Sequence, residues 1–179
     1  MTEGLERPFE ILRVIDAQCR KHAFELPKQE VLTNYWSGIG FVLAGQYFLA
    51  PLGQISEVLH VPEFTAVPGA KSWVRGVANV RGVLLPIMDL QGFLYNRPNR
   101  SRRQRLMVMT KDDLVSSVVV DDVLGLQHFE DHERVTDFEE SDEQLRPFVT
   151  GAFERDGRTW KIFDFYELAE NANFLQVAV

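Results

Sequence analysis

Val74-Arg75-Gly76-Val77-Ala78-Asn79-Val80-Arg81-Gly82-Val83-Leu84-Leu85-Pro86-Ile87-Met88-Asp89-Leu90 is the stretch from which the fold is read. Two Arg-Gly pairs stand six residues apart, with Asn79 between them. Glycine at both places permits positive φ or a close approach of two backbones. A strand–turn–strand corner follows, with Val83 to Met88 as the strand after Arg81-Gly82. Asp89 ends that strand and opens a short apolar segment, which is where a helix N-cap belongs. Arg75 and Arg81 are either two exposed corner residues, or Arg81 is a fixed charge beside an apolar surface. An arginine suits the second role, stem on the apolar wall and fork toward a carboxylate. Glu57 is the candidate partner.

On either side of this stretch the chain reads as short strands. Ile39 to Leu43, Tyr47 to Leu52 and Ile55 to Val61 precede it; Leu106 to Thr110, Val115 to Val120, Val123 to Phe129, Phe148 to Glu154 and Thr159 to Phe163 follow. All are rich in β-branched and aromatic residues. Ala44-Gly45-Gln46 marks one turn and Asp156-Gly157 a hairpin. Many short strands at close spacing predict a barrel or a sandwich.

Residues 38–94 and 105–168 repeat an order of events. Each has a strand, a turn and a second strand, then an acidic residue before Val-Leu (Glu57-Val58-Leu59, Asp122-Val123-Leu124). A glycine step follows (Arg75-Gly76-Val77, Thr150-Gly151-Ala152), then a strand that ends on an aspartate, Asp89 or Asp164. Two similar β units of this size bury too little surface to stand alone. They are expected to share a core within one domain, residues 38–179.

Residues 1–37 differ. Leu5, Phe9, Leu12, Ile15, Cys19 and Ala23 recur at helical spacing, Pro8 suits a first turn, and Leu26-Pro27 stops the helix. This predicts an amphipathic helix that packs on the body of the protein or on a partner. No signal core and no membrane-length apolar run is present, and the single cysteine precludes an internal disulfide, so a cytoplasmic protein is expected.

The formal net charge of −7 argues against a nucleic-acid backbone as partner unless basic residues cluster. One cluster exists: Arg97, Arg100, Arg102, Arg103 and Arg105. A solvated loop is the simpler reading and an acidic protein partner the sharper one. The stretch from Glu130 to Glu143 holds eight acidic residues and reads as a solvated loop with at most a helical turn.

Catalytic templates fit poorly. No GxSxG elbow, Walker loop or dinucleotide fingerprint is present. Cys19 and His22 fall on the amphipathic helix and read as a core thiol beside a surface histidine. His128 and His132 have helical metal spacing but run from a strand into the acidic loop. Asp89 and Asp164 invite an acid–base reading, yet each sits at an N-cap position, and Glu167 three residues after Asp164 suggests a capping box. A small hydrolase or metal enzyme built on Asp89/Asp164 or His128/His132 is the alternative function. No cofactor or metal is expected.

Trp73 to Leu90 resembles the signature of the CheW family of chemotaxis coupling proteins at Gly76, Asn79, Arg81, Gly82, Pro86, Asp89 and Leu90. The resemblance weakens but extends over Gly38 to Leu168. The helical addition in front of it resembles the branch of the family that serves type IV pilus chemosensory systems and twitching motility. The resemblance implies a mainly β fold of two five-stranded SH3-like barrels sharing one hydrophobic core. It implies no catalysis. It implies an adaptor between the cytoplasmic tip of a methyl-accepting chemoreceptor and the regulatory domain of a CheA-type histidine kinase. Carried over by position, Glu57 and Arg81 are the polar pair of a receptor-binding groove floored by Leu52 and Val58, and Ile55 lies on the strand that faces the kinase.

Overall fold

Residues 10, 12–13, 15–18, 35–112 and 114–178 are described by the computed structural model. The chain divides into Met1–Thr33 and Asn34–Val179. In the first unit the described residues are helical, in keeping with the spacing of Leu12 and Ile15. Leu5, Pro8, Phe9, Cys19, His22, Ala23 and Leu26-Pro27 lie outside the described residues.

The second unit runs β1 (Tyr35–Leu43), β2 (Gln46–Pro51), β3 (Ile55–His60), β4 (Val74–Val80), β5 (Val83–Asp89) and α1 (Leu90–Tyr95). It continues through β6 (Arg105–Lys111), β7 (Leu114–Val120), β8 (Asp122–Glu130), β9 (Val149–Arg155), β10 (Arg158–Phe163), α2 (Phe165–Glu170) and α3 (Ala172–Leu175). Three of its turns are two-residue loops with consecutive positive φ: Ala44-Gly45, Arg81-Gly82 and Asp156-Gly157. That geometry matches the right-handed twist of the strands it joins. β4 is a strand the sequence reading did not separate from its corner.

The strands form two five-stranded sheets, ordered β8-β1-β2-β10-β9 and β3-β6-β7-β5-β4. Advancing each strand number of the second sheet by five, cyclically, gives the first. The repeat seen in the sequence is therefore real in topology. The spatial units, however, are not residues 38–94 and 105–168 as expected. β1 and β2 pair with β8 and β10 from the other half, and β6 and β7 pair with β3 and β5. Each half places its first two strands in the other's sheet. A hairpin such as β1–β2 has two ladder edges to fill, and the partner that fills them need not be its neighbour in sequence.

Alternation along the strands explains why one core is shared. Met107 and Met109 of β6 join a core cluster with Phe41, Phe48 and Phe163 from the other sheet. Leu106 and Val108, between and beside them, turn the opposite way into an aliphatic cluster with Ile87 and Val119. In the other sheet Leu49, Phe129, Phe153, Trp160 and Ile162 form a third, mostly aromatic cluster. α2 and α3 close the shared core through Phe165, Leu168 and Phe174, the last stacked on Trp73 with ring centroids 5.5 Å apart.

The acidic stretch is less solvated than its charge suggests. Asp131–Glu133 forms a 3-10 turn. Glu140 is buried, with Oε2 2.8 Å from Lys161 Nζ. Tyr95 Oη donates to Asp142 Oδ2 at 2.9 Å, and burial, with this contact second, raises the tyrosine pKa. Leu145 and Phe148 anchor the end of the loop in the shared core.

Candidate docking groove

The turn between β4 and β5 is built by Asn79, Arg81 and Gly82. Asn79 Oδ1 accepts from Gly82 N–H at 2.9 Å, so the asparagine side chain fastens the two-residue loop. Arg81 then sits at φ 53° and Gly82 at 86°. Left-handed backbone costs a residue with a Cβ about 1–2 kcal/mol. Asn96, Asp112, Asp137 and Asp156 also have positive φ, but they belong to types that tolerate it. Arg81 does not. Its guanidinium Nη1 lies 2.7 Å from Glu57 Oε1, with the arginine side chain 75% exposed and the glutamate 33%. An exposed pair contributes at most about 1 kcal/mol. The contact orients the arginine and adds little to stability.

Around this turn the other motif positions are structural. A Cβ on Gly76, which has φ 154°, would lie 2.2 Å from the Thr65 carbonyl oxygen. That approach is needed because Thr65 and Val77 exchange backbone hydrogen bonds of 2.9 Å each, covering the outer edge of β4. Pro86 lacks an N–H, and the pairing of β5 with β7 begins one residue later, at Ile87 with Ser117.

Asp89 caps α1 as its position predicted: Oδ1 accepts from Gly92 N–H at 3.0 Å. Its other oxygen takes Arg75 Nη2 at 2.7 Å, Arg75 Nε at 3.2 Å and Asn99 N–H at 2.8 Å. Arg75 is thus largely covered, not the exposed corner residue of the simpler reading. Asp164 caps α2, accepting from Tyr166 and Glu167 N–H at 2.9 and 3.3 Å and from Gln54 Nε2 at 2.9 Å. The expected capping box is only half made, because Asp164 N–H goes to the Phe148 carbonyl. The two carboxyls share no partner, and each is committed to its own helix.

Of the remaining expected residues, the structure joins some and separates others. Leu52 is exposed in the turn before β3. Val58 is exposed as well, but strand alternation puts it on the face opposite Glu57, which shares its side with Leu59. Ile55 is only 8% exposed and belongs to the shared core, so its side chain offers almost nothing to a partner. Ser56 and Val58 are the residues β3 turns outward there.

Val83 and Leu84, 51% and 70% exposed on the hairpin that carries Arg81, were not singled out from the sequence. A signal existed: Val83-Leu84-Leu85 is three consecutive apolar residues, and a strand cannot turn all three to one side.

His128 Nδ1 is 2.7 Å from Ser37 Oγ and His132 Nδ1 is 3.1 Å from Glu130, so the two imidazoles serve different partners. Among the described residues no group of three potential metal ligands converges. No helix among them is long and apolar enough to cross a membrane.

Two five-stranded sheets that exchange strands around a shared core, each ending in an Asp-capped helix, define a compact β scaffold with a polar pair at one hairpin. The chain belongs to the CheW-like domain family, whose pattern matches residues 37–173. It is 44% identical, over 98% of both chains, to Protein PilI of Pseudomonas aeruginosa. It is 38% identical to Protein FrzA of Myxococcus xanthus over 43% of this chain and 49% of that one. Among solved structures, the scaffolding protein TtCheW from Thermoanaerobacter tengcongensis has the same fold, with a TM-score of 0.59 and 19% identity over 73% of this chain and 89% of that one.

Proposed function

We propose that this chain is a non-enzymatic adaptor that couples the tip of a methyl-accepting chemoreceptor to a CheA-type histidine kinase, in a cytoplasmic array controlling type IV pili. The observation that carries the reading is Arg81. It occupies a backbone position unfavourable to it and holds an exposed guanidinium against Glu57, beside exposed Val83 and Leu84. A charge on a rigid turn with apolar neighbours suits a helical receptor tip that presents a carboxylate among apolar residues. Exposed Leu52 adds apolar surface for the receptor, and the kinase regulatory domain meets β3 through exposed Ser56 and Val58, on the strand that carries Ile55. The near full-length likeness to PilI supports the pilus assignment. The mechanism needs no chemistry: binding that favours one receptor state biases the kinase bound to the same adaptor. Arg81→Asp is expected to abolish capture of the receptor's cytoplasmic fragment while leaving the circular dichroism spectrum unchanged. Undiminished capture would refute the groove.

A further inference from the structure

The loop between α1 and β6 is a rigid cationic platform. Asn99, only 5% exposed, fixes it from beneath. Its N–H donates to Asp89, its carbonyl accepts from Arg75 and Gln104, and its side-chain oxygen accepts from Ser101 N–H at 2.9 Å. Ser101 Oγ donates to the Asp121 carbonyl at 2.9 Å. Arg97, Arg100, Arg102 and Arg103 stand outward from this scaffold. Among the described residues the first three have no ion-pair partner, and Arg103 approaches Asp122 no nearer than 3.8 Å.

The acidic loop adjoins it at Asp142. A hollow of about 650 Å³ is walled by Arg97 and Arg100 over Gln91 and Ala44. A second hollow, of about 370 Å³, shares Ala44, Gln91 and Arg97 and is closed by Tyr95 and Asp142. α1 therefore borders both: Gln91 lines the hollows with Arg97, and Phe93 and Leu94 line a further hollow with Glu143 of the acidic loop. That loop is pinned by Tyr95–Asp142 and Lys161–Glu140, and it exposes Glu139 and Glu143, which also lack ion-pair partners among the described residues.

Two fixed patches of opposite sign, side by side, complement a second copy of themselves turned by a two-fold axis. We infer that this face joins two copies of the chain, the Arg97/Arg100 platform of one against the Glu139/Glu143 loop of the other and the reverse. Guanidinium and carboxylate match as bidentate partners. The backbones of both loops are already held by these contacts, so little backbone freedom remains to be lost. A nucleic acid suits the face less well. A continuous phosphate backbone leaving the arginines would meet Asp121, Asp122 and Asp142, within a chain of net charge −7. The face shares no residue with the Glu57–Arg81 groove, so either proposal can fail alone.

The test is sedimentation velocity on the full-length protein at increasing concentration. The wild type is expected to dimerise in 50 mM NaCl and to weaken by roughly ten-fold or more in 500 mM, where screening acts over a few Å. R97E/R100E and E139R/E143R are each expected to be monomeric with unchanged melting curves. Mixed one to one, they are expected to form a heterodimer. Both variants stay net negative, because each moves the −7 by four charges, so overall attraction does not drive that pairing. A wild type monomeric at every concentration in low salt overturns the inference. So does a dimer indifferent to salt, a dimer that survives either double variant, or a mixture that stays monomeric.

Discussion

At the end of β5 and again at the end of β10 the chain leaves a strand through an aspartate that caps a short helix. The two aspartates are held differently. Asp89 is supported by the Arg75 guanidinium, an ion pair with side chains 18% and 4% exposed, inside a single sheet. Asp164 is supported by a neutral amide: Gln54 donates to the carboxylate and accepts from Phe165 N–H at 2.8 Å. Gln54 precedes β3, so that contact ties the first sheet's helix to the second sheet's strands. The repeat kept the cap, whose geometry the helix demands, and let the support diverge. The glycine steps diverge in the same way. Gly76 faces a backbone oxygen, whereas a Cβ on Gly151 would meet only Ile162 Cδ1 at an ordinary 3.6 Å.

These differences set an order of expected effects. Arg75→Met leaves the buried Asp89 carboxylate without a counter-charge and is expected to cost about 3 kcal/mol in urea unfolding. Gln54→Met leaves Asp164 its two N–H donors and is expected to cost about 1–2 kcal/mol. Equal losses would break the distinction between the caps.

Gly76→Ala must displace Thr65 and hold an unfavourable φ, so a loss of about 2–3 kcal/mol is expected. Gly151→Ala should stay within about 0.5 kcal/mol, as surface substitutions without such features do. Thermal melts of both variants compare the two steps directly.

A smaller effect belongs to the aromatic sheet alone. Glu133 accepts from Arg155, which also lies over the Phe129 ring at 3.9 Å. The arginine pulls the glutamate from its ordinary 4.5 to about 2. A depressed carboxyl stabilises the fold above its unfolded value and loses that contribution as pH falls from about 4.5 toward 2. Glu133→Gln is therefore expected to lower the urea midpoint at pH 6 and to differ little from wild type near pH 2. A constant gap at both pH values would contradict it.

The smallest stability change is expected at Arg81→Gly, within about 0.5 kcal/mol, because relief of left-handed strain offsets loss of the exposed pair. Receptor capture should nevertheless be lost. Asp156→Gly in the matching turn of the other sheet should leave capture intact.

Much of this was legible because it is local. Strand positions followed from β-branched runs, turns from Arg81-Gly82 and Asp156-Gly157, and caps from Asp89 and Asp164. What the sequence hid depends on partners far along the chain. Nothing near Tyr35 announces that it pairs with Glu130. Nothing near Arg75 names Asn99 and Gln104 as its acceptors, and a run of acids does not reveal that Glu140 turns inward to Lys161. One polar pair was legible: Glu57 and Arg81 meet as expected. Ile55 and Val58 were assigned without reference to the strand's two faces, and the structure turns one into the core and the other away from Glu57.

The exchange of strands between the sheets has a consequence in time. As the chain leaves the ribosome, β1 and β2 emerge early, but the strands that flank them, β8 and β10, are made last. Phe41 and Phe48 must wait for Phe163 before their core exists. The first half of the newborn protein thus carries exposed aromatic surface through most of its synthesis, and neither half can complete a sheet by itself. Long-range pairings of this kind form slowly. Until the last hairpin arrives, that surface is open to aggregation.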